Sequence, residues 1–217
     1  MRSPRLPVLA ATSALLAFLA TGCAEWHRDV TVHGVTFKRV KIERGALAIG
    51  EIGADTVIMG RPCKQGWVHV FPNGMPAAFA TPDVFALPRV IVPANTWVRQ
   101  NEQGAIVSCA FPRDTEVQGH WCRGTGGSKG VTTAFYADGA LRLFFPPHPT
   151  RIDGVPCRPG VLGGWIELYE TGRLKSVLLD ADWERDGTLY RRGTRVEFDV
   201  NGKPLPPPPP APPADIA

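Results

Sequence analysis

The chain has 217 residues, of which 44% are hydrophobic and 20% are charged, and these proportions fit a globular protein rather than a disordered one. Its 24 Lys and Arg residues outnumber its 20 Asp and Glu residues, but they form no basic stripe of the kind that nucleic-acid-binding proteins carry. The 22 prolines are partly clustered near the C-terminus and otherwise scattered, which argues against long helices.

The N-terminus has the pattern of a secretion signal. Two arginines within the first five residues precede an apolar stretch over 6–20, which is short for a membrane span but typical of a signal peptide. Residues 19–23 read LATGC, which resembles a bacterial lipobox. The resemblance implies that a signal peptide over 1–22 is removed and that Cys23 carries palmitate-type lipid. Ala24 at the next position implies sorting to the outer membrane, facing the periplasm. The alternative is an ordinary secretory signal that is cut nearby and leaves Cys23 as a thiol.

The body of the chain repeats itself. Residues 45–63, 104–122 and 139–157 all fit G-A-[LI]-x8-T-x3-G-x-[PW]-C without a gap. A second match aligns 67–104 with 165–202. Together these matches predict two long repeat units and one truncated unit. Self-similarity of this kind is typical of architectures in which stacked units bury a shared apolar face.

Short runs of alternating apolar and polar residues predict β-structure. The alternation has period two, and each run stops at a turn signal such as Asn73-Gly74 or Asp138-Gly139. The spacing of these signals predicts about 12–15 short strands joined mainly by two-residue hairpin turns. We therefore predict an all-β fold in which repeated antiparallel β-hairpins form an elongated meander, with a sandwich or a barrel as the alternative.

Four segments follow from these patterns. They are the signal peptide over 1–22, a lipidated N-terminus with the first strands over 23–44, a β-hairpin repeat domain over 45–203, and a Pro-rich tail over 204–217. The tail reads PLPPPPPAPPADIA, and proline blocks both helix and sheet ladders. The tail is accordingly predicted to be disordered or polyproline II.

One recurring pattern resembles a known family. An aromatic residue three positions before the glycine of a turn, followed by a short apolar strand, occurs in FPNGMPAAF, FYADGALRLF and LYETGRLKSVL. These stretches resemble bacterial MORN-type repeats. The resemblance implies stacked β-hairpins and a scaffolding or binding role, with no catalytic residues to carry over.

Cysteine usage predicts disulfides. Lipidation of Cys23 leaves four cysteines in an oxidising compartment, and an even number there favours pairing; these are Cys63, Cys109, Cys122 and Cys157. A Cys109–Cys122 bridge is disfavoured, because a hairpin register would separate the two residues by roughly 15 Å. The other two pairings stay open. The alternatives are a metal site or a thiol nucleophile formed by Cys122 with His120, although no C-x-x-C pair or orienting group supports either.

An acidic stretch hints weakly at calcium. Its carboxylates precede Gly187 and are Asp180, Asp182, Glu184 and Asp186. An EF-hand loop in this register needs glutamate at position 193, which is Gly193. A solvated acidic turn is therefore the favoured interpretation, and no cofactor is predicted.

The tryptophans divide into two groups. Trp67 and Trp165 occupy equivalent repeat positions, and Trp183 aligns with Phe85, so these three are predicted to pack in the core. The remaining tryptophans fall outside that register and are candidate binding residues, since flat rings stack on sugars; they are Trp26, Trp97 and Trp121.

No nucleophile elbow, zinc-protease, P-loop or dinucleotide-binding motif is present in the sequence. The sequence thus predicts a non-catalytic, membrane-anchored envelope lipoprotein. Its expected role is that of a scaffold or binding module for an envelope protein or a cell-wall glycan. The alternatives are an envelope hydrolase with a site at the strand ends, and a metal- or calcium-dependent binding protein.

Overall fold

The computed structural model describes residues 25–32, 34–43, 46–87, 89–125, 131–160 and 162–206, and its regular structure there is entirely β-strand. The strands in chain order are β1 (Glu25–Val32), β2 (Val35–Glu43), β3 (Ala46–Ile52), β4 (Thr56–Ile58), β5 (Arg61–Cys63), β6 (Gly66–Val70), β7 (Pro76–Ala80), β8 (Phe85–Leu87), β9 (Val90–Val92), β10 (Trp97–Gln100), β11 (Ile106–Ala110), β12 (Thr115–Val117), β13 (His120–Cys122), β14 (Thr133–Phe135), β15 (Leu141–Phe144), β16 (Thr150–Ile152), β17 (Val155–Cys157), β18 (Ile166–Leu168), β19 (Leu174–Leu178), β20 (Trp183–Arg185), β21 (Thr188–Tyr190) and β22 (Arg195–Glu197). The part of the chain described contains no helix that is long and apolar enough to span a membrane.

Twelve strands form one antiparallel sheet in the order β1-β2-β3-β6-β7-β10-β11-β14-β15-β18-β19-β22. The other ten strands form five separate two-stranded hairpins, β4-β5, β8-β9, β12-β13, β16-β17 and β20-β21. The predicted all-β meander of antiparallel hairpins is confirmed, and the sheet runs open from β1 to β22 rather than closing on itself. The strands outnumber the prediction because each small hairpin interrupts the path between two sheet strands.

The repeat is finer than the sequence matches indicate. From β3 onward the chain makes five units, each with one sheet strand, one small hairpin and a second sheet strand. The first unit is β3 to β6 and the last is β19 to β22. Each long unit predicted from the sequence is two of these units, and the truncated unit is one. The hairpin β1-β2 precedes the five units in the same sheet.

Two kinds of turn alternate along the chain. At one end of the sheet, three-residue turns join the units; in the first of them the Phe71 amide bonds to the Met75 carbonyl at 2.8 Å, and Gly74 has φ 87°. These turns were expected to have two residues, but the glycine in each adds a bulge to the ladder. True two-residue turns close four of the small hairpins, where both residues have positive φ, as in Met59-Gly60.

The small hairpins lie back over one face of the sheet as a second layer. Their tips contact the three-residue turns: Arg61 Nη2 donates to Gly104 O at 2.9 Å, and Gln118 Nε2 donates to Gly139 O at 2.8 Å. The core lies between these two layers. It is built from alternate residues of the sheet strands and of the hairpin strands, including Val68, Phe79, Val98, Phe144, Ile166 and Val196 on the sheet and Ile58, Val92, Val117, Val155 and Cys157 on the hairpins.

The far edge of the sheet is covered by the chain itself. After β22 a last three-residue turn brings Pro204 into a bridge with Phe198. The Leu205 amide then donates to Glu197 O at 2.8 Å. The residues after Leu205 are prolines as far as Pro210, and proline has no N–H to extend a ladder.

Candidate binding face

The side of the twelve-stranded sheet opposite the hairpin layer is the candidate site, and we call it the open face. Because strand side chains alternate, every second residue of each sheet strand projects from this face. On β6 these residues are Trp67 and His69, while Val68 and Val70 face the core. The interpretation of Trp67 as a core residue is therefore wrong: its side chain is 38% exposed on the open face.

One row of the open face alternates indoles with alanines. Trp97 pairs with Ala80 on one side and with Ala110 on the other, and the His69–Ala78 pairing places Trp67 beside Ala80. Trp67 and Trp97 are therefore two strands apart, about 10 Å. The methyl group of alanine is too small to fill the space between the two indoles. The row thus presents two large aromatic side chains next to small alanine side chains.

At the β1 side of this row, four residues form what we call the edge patch: Trp26, Arg28, Arg39 and Trp67. The Trp26 and Trp67 rings meet edge-on with centroids 5.7 Å apart, and the Arg39 guanidinium lies 5.0 Å from the Trp67 centroid. Arg39 Nε also pairs with Glu51 at 2.7 Å. Together with His27, the patch lines an open hollow of about 320 Å³.

A second row carries the cationic character further along the sheet. His69 packs edge-on against Trp97 at 6.3 Å, and it pairs through Ala78 with Arg99. Arg99 is exposed and has small neighbours, Ala78 on one side and Ser108 on the other. Among the described residues, Arg99 forms no ion pair, so its guanidinium is available to an anionic or polar partner.

The C-terminal part of the open face is built differently. The Arg195 guanidinium stacks on the Trp165 ring at 3.8 Å and donates to Ser176 Oγ at 3.1 Å and to the Gly163 carbonyl. Partial burial lowers the pKa of Arg195. Neither ring face nor guanidinium is therefore as accessible as in the edge patch. Trp165, like Trp67, lies on the open face side of the sheet instead of in the core.

The remaining tryptophans lie in the hairpin layer. Trp121 projects from β13 to the solvent and is 57% exposed, on the opposite side of the molecule from the open face. Trp183 is partly buried and packs on Tyr190 and Phe198, as expected for a core-associated residue. Of the candidate binding residues, the structure brings Trp26 and Trp97 to one face with Trp67, and it separates Trp121 from them.

The predicted disulfides do not form in the structure: Cys63, Cys109, Cys122 and Cys157 are free and buried. Three of them, Cys63, Cys122 and Cys157, occupy the same place on the first, third and fourth hairpins, a place that Val92 takes in the second. They act there as small apolar core residues.

The same burial argues against thiol chemistry. Burial raises the pKa of Cys63, Cys109 and Cys122 to about 12 and that of Cys157 to about 11. The thiolate is the nucleophile and the metal ligand, and it is disfavoured at these positions. Cys122 Sγ lies 3.6 Å from the carbonyl oxygen of His120, while the His120 ring packs on Phe144. Burial also lowers the pKa of His120.

Three of the four carboxylates in the acidic stretch lie against arginines. Asp182 accepts hydrogen bonds from the Arg192 amide at 2.7 Å and from Arg191 Nη1 at 2.8 Å, and these bonds lower the pKa of Asp182. Asp180 and Asp186 also lie within 4 Å of arginines, and Glu184 is in strand β20 opposite Leu189. Over the described ranges, no three His, Cys, Asp or Glu side chains gather as a metal site would require.

Several predicted features lie outside the described residues, namely the signal peptide over 1–22, Cys23 and the tail over 207–217. The chain matches no protein-family model, and no curated protein or solved structure is significantly similar to it. The open face is therefore the feature of the molecule that bears on its function.

Proposed function

We propose that this chain is a non-catalytic envelope lipoprotein, anchored to a membrane through Cys23, that binds a protein or glycan partner through its open face. The single observation that carries the proposal is that Trp67 on β6 and Trp97 on β10 share the open face on either side of β7, beside Arg99, which forms no ion pair among the described residues. Trp67 is exposed and Trp97 is half-buried, and tryptophan and arginine are the side chains that most often dominate binding energy at protein interfaces.

The architecture supports a scaffold. The hairpin layer takes up the other face of the sheet, and the core lies between the layers, so partner binding does not compete with folding for the same side chains. The sugar-stacking interpretation of the tryptophans also fits this row. Strands β6 and β10, which carry the two tryptophans, are about 10 Å apart, roughly the length of a disaccharide, and guanidinium groups bond well to carboxylates and hydroxyls.

The binding experiment uses the variants Trp97→Ala and Arg99→Glu. Each purified variant is assayed for retention on isolated cell-wall sacculi. The same variants are also expressed in cells and assayed there by cross-linking. Each variant is expected to lower retention or cross-linking about tenfold or more, as for a residue at the centre of an interface. Trp121→Ala, which removes an exposed indole from the opposite side, is the matched control and is expected to bind normally. Equal behaviour of all three variants, or binding by none of the proteins, would contradict the binding role.

The anchoring experiment uses Cys23→Ser. Labelling with a fatty-acid analogue is expected to mark the parent protein and not the variant, and membrane fractionation is expected to release the variant into the soluble envelope fraction. Label on the Cys23→Ser protein, or no label on the parent, rules out acylation at this cysteine.

A further inference from the structure

The edge patch lies next to the proposed anchor. Trp26 is three residues after Cys23, and three residues of fully extended chain span about 11 Å at most. Strand β1 begins at Glu25 and forms the edge of the sheet. If Cys23 holds acyl chains in a bilayer, as the proposed function states, the Trp26 end of β1 is held within reach of the lipid headgroups.

The chemistry of the patch suits that position. Trp26 is 53% exposed, and an indole combines a large apolar body with one N–H donor, which is why tryptophan concentrates at membrane–water interfaces. Arg28 pairs in register with Arg39 on β2, so two guanidinium groups project side by side from the open face. Glu51 neutralises Arg39, while Arg28 has no ion pair among the described residues.

We propose that the edge patch is a second membrane contact, in which Trp26 enters the headgroup region and Arg28 binds anionic phospholipid. This inference rests on the anchoring part of the proposed function. A single point of attachment leaves a protein free to swing, and membrane proteins commonly combine acylation with a cationic or aromatic surface. The second contact fixes the β1 edge against the bilayer. It leaves Trp97 and Arg99, two strands beyond Trp67, for the partner.

Two other tryptophan-bearing surfaces in the described part of the chain lack this combination. Trp121 is as exposed as Trp26, but it projects from the hairpin layer, far along the chain from Cys23. On the C-terminal part of the open face, Lys175 pairs with Glu167 at 3.5 Å and the Arg195 guanidinium is stacked on Trp165, so its cations are already engaged. Position relative to the anchor and an unpaired Arg28 among the described residues together select the edge patch.

The test attaches the chain beginning at Cys23 to vesicles through that thiol, using a maleimide lipid, so that it does not depend on acylation in the cell. The four buried thiols have raised pKa values and are expected to stay unreacted at neutral pH. The vesicles contain phosphatidylglycerol and phosphatidylethanolamine, with or without lipid brominated near the headgroup. Bromine quenches indole fluorescence over short distances.

The parent protein and Trp121→Phe are expected to be quenched equally, whereas Trp26→Phe is expected to lose most of the quenching. Arg28→Glu is expected to weaken the contact about fivefold or more, and replacing phosphatidylglycerol by phosphatidylcholine is expected to do the same. Circular dichroism of each variant checks that the sheet is intact.

Quenching that is absent from the parent, or that survives Trp26→Phe unchanged, overturns the membrane contact. Quenching that is insensitive to Arg28→Glu and to lipid charge overturns the anionic-headgroup assignment. Failure of acyl labelling at Cys23 in cells would instead defeat the proposed anchor while leaving this vesicle result standing. The two proposals can therefore fail separately.

Discussion

Two stretches of the sheet, β6-β7-β10 and β18-β19-β22, have matching core residues and differ on the open face. Strands β6, β7 and β10 match β18, β19 and β22 position for position in the sequence. The buried residues keep their character, so that Val68, Phe79 and Val98 correspond to Ile166, Val177 and Val196. The residues projecting from the open face change: His69, Trp97 and Arg99 correspond to Glu167, Arg195 and Glu197.

The comparison separates the part of the sequence that builds the scaffold from the part that gives it a binding surface. The repeated positions are those that fill the core between sheet and hairpins. Substituting Arg195 where the second unit has Trp97 closes the face, since the arginine stacks on Trp165. One backbone arrangement thus presents an accessible aromatic and cationic surface near β1 and a closed surface of paired charges near β22.

The largest expected effect comes from the shared core. Phe79→Ala removes a fully buried side chain and is expected to lower the free energy of unfolding by about 4 kcal/mol, since the cavity cannot collapse completely. Val98→Ala and Val196→Ala, at matching positions, are expected to cost about 2 kcal/mol each. Urea unfolding followed by circular dichroism measures all three. Unequal costs for the two valines would break the equivalence of the cores.

Alkaline pH tests the burial of the four thiols in the core between the sheet and the hairpins. The buried thiols keep their protons up to about pH 11–12 in the folded protein, whereas in the unfolded chain they titrate near 9. Between these values the unfolded state binds fewer protons, so stability is full below pH 9 and falls as the pH rises toward 12. Denaturant titrations from pH 7 to 11 measure the fall. A flat profile would contradict the burial of the thiols, and a Cys63→Val, Cys122→Val double variant is expected to flatten it partly.

The smallest expected effect distinguishes the two stacked arginines. Arg195→Ala removes a partly buried cation that also bonds to Ser176, and it is expected to cost about 1–2 kcal/mol. Arg39→Ala removes a half-exposed cation and is expected to cost less than about 1 kcal/mol. Acrylamide quenching is expected to rise in the Arg195→Ala protein as Trp165 is uncovered. If the two substitutions lower the free energy of unfolding equally and quenching does not change, the edge patch and the C-terminal part of the open face are equally accessible.

The fold class was predictable from the sequence because alternation and glycine turns are local signals. The second layer was not, because hairpin strands of three residues are too short to show a period, and the sequence between strands β8 and β9 contains no glycine. That missing glycine also hid the true repeat. Units one and two consequently read as a single long unit.

The candidate site was harder to predict for a different reason. Alternation on β6 shows that Trp67 and His69 share one face and that Val68 and Val70 share the other, but not which face the hairpins cover. Large aromatic residues suggested a core, and repetition strengthened that inference. The disulfide prediction was wrong for a similar reason. An even number of cysteines fits disulfides, but Val92 occupies the equivalent position on the second hairpin. A position that accepts valine is an apolar core position.

The covered β22 edge determines how this molecule can grow. Each interior unit pairs with its neighbours through equivalent sheet strands. An inserted unit could therefore form the same strand pairings on both sides. Such an insertion adds two sheet strands, or about 10 Å, without altering either end. Beyond Leu205, however, the run of prolines in the sequence supplies no N–H donors, which disfavours the addition of a strand from another chain there. Duplication of a unit in the gene would therefore lengthen the sheet by a fixed amount. The proline run after the β22 end disfavours polymerisation through that end.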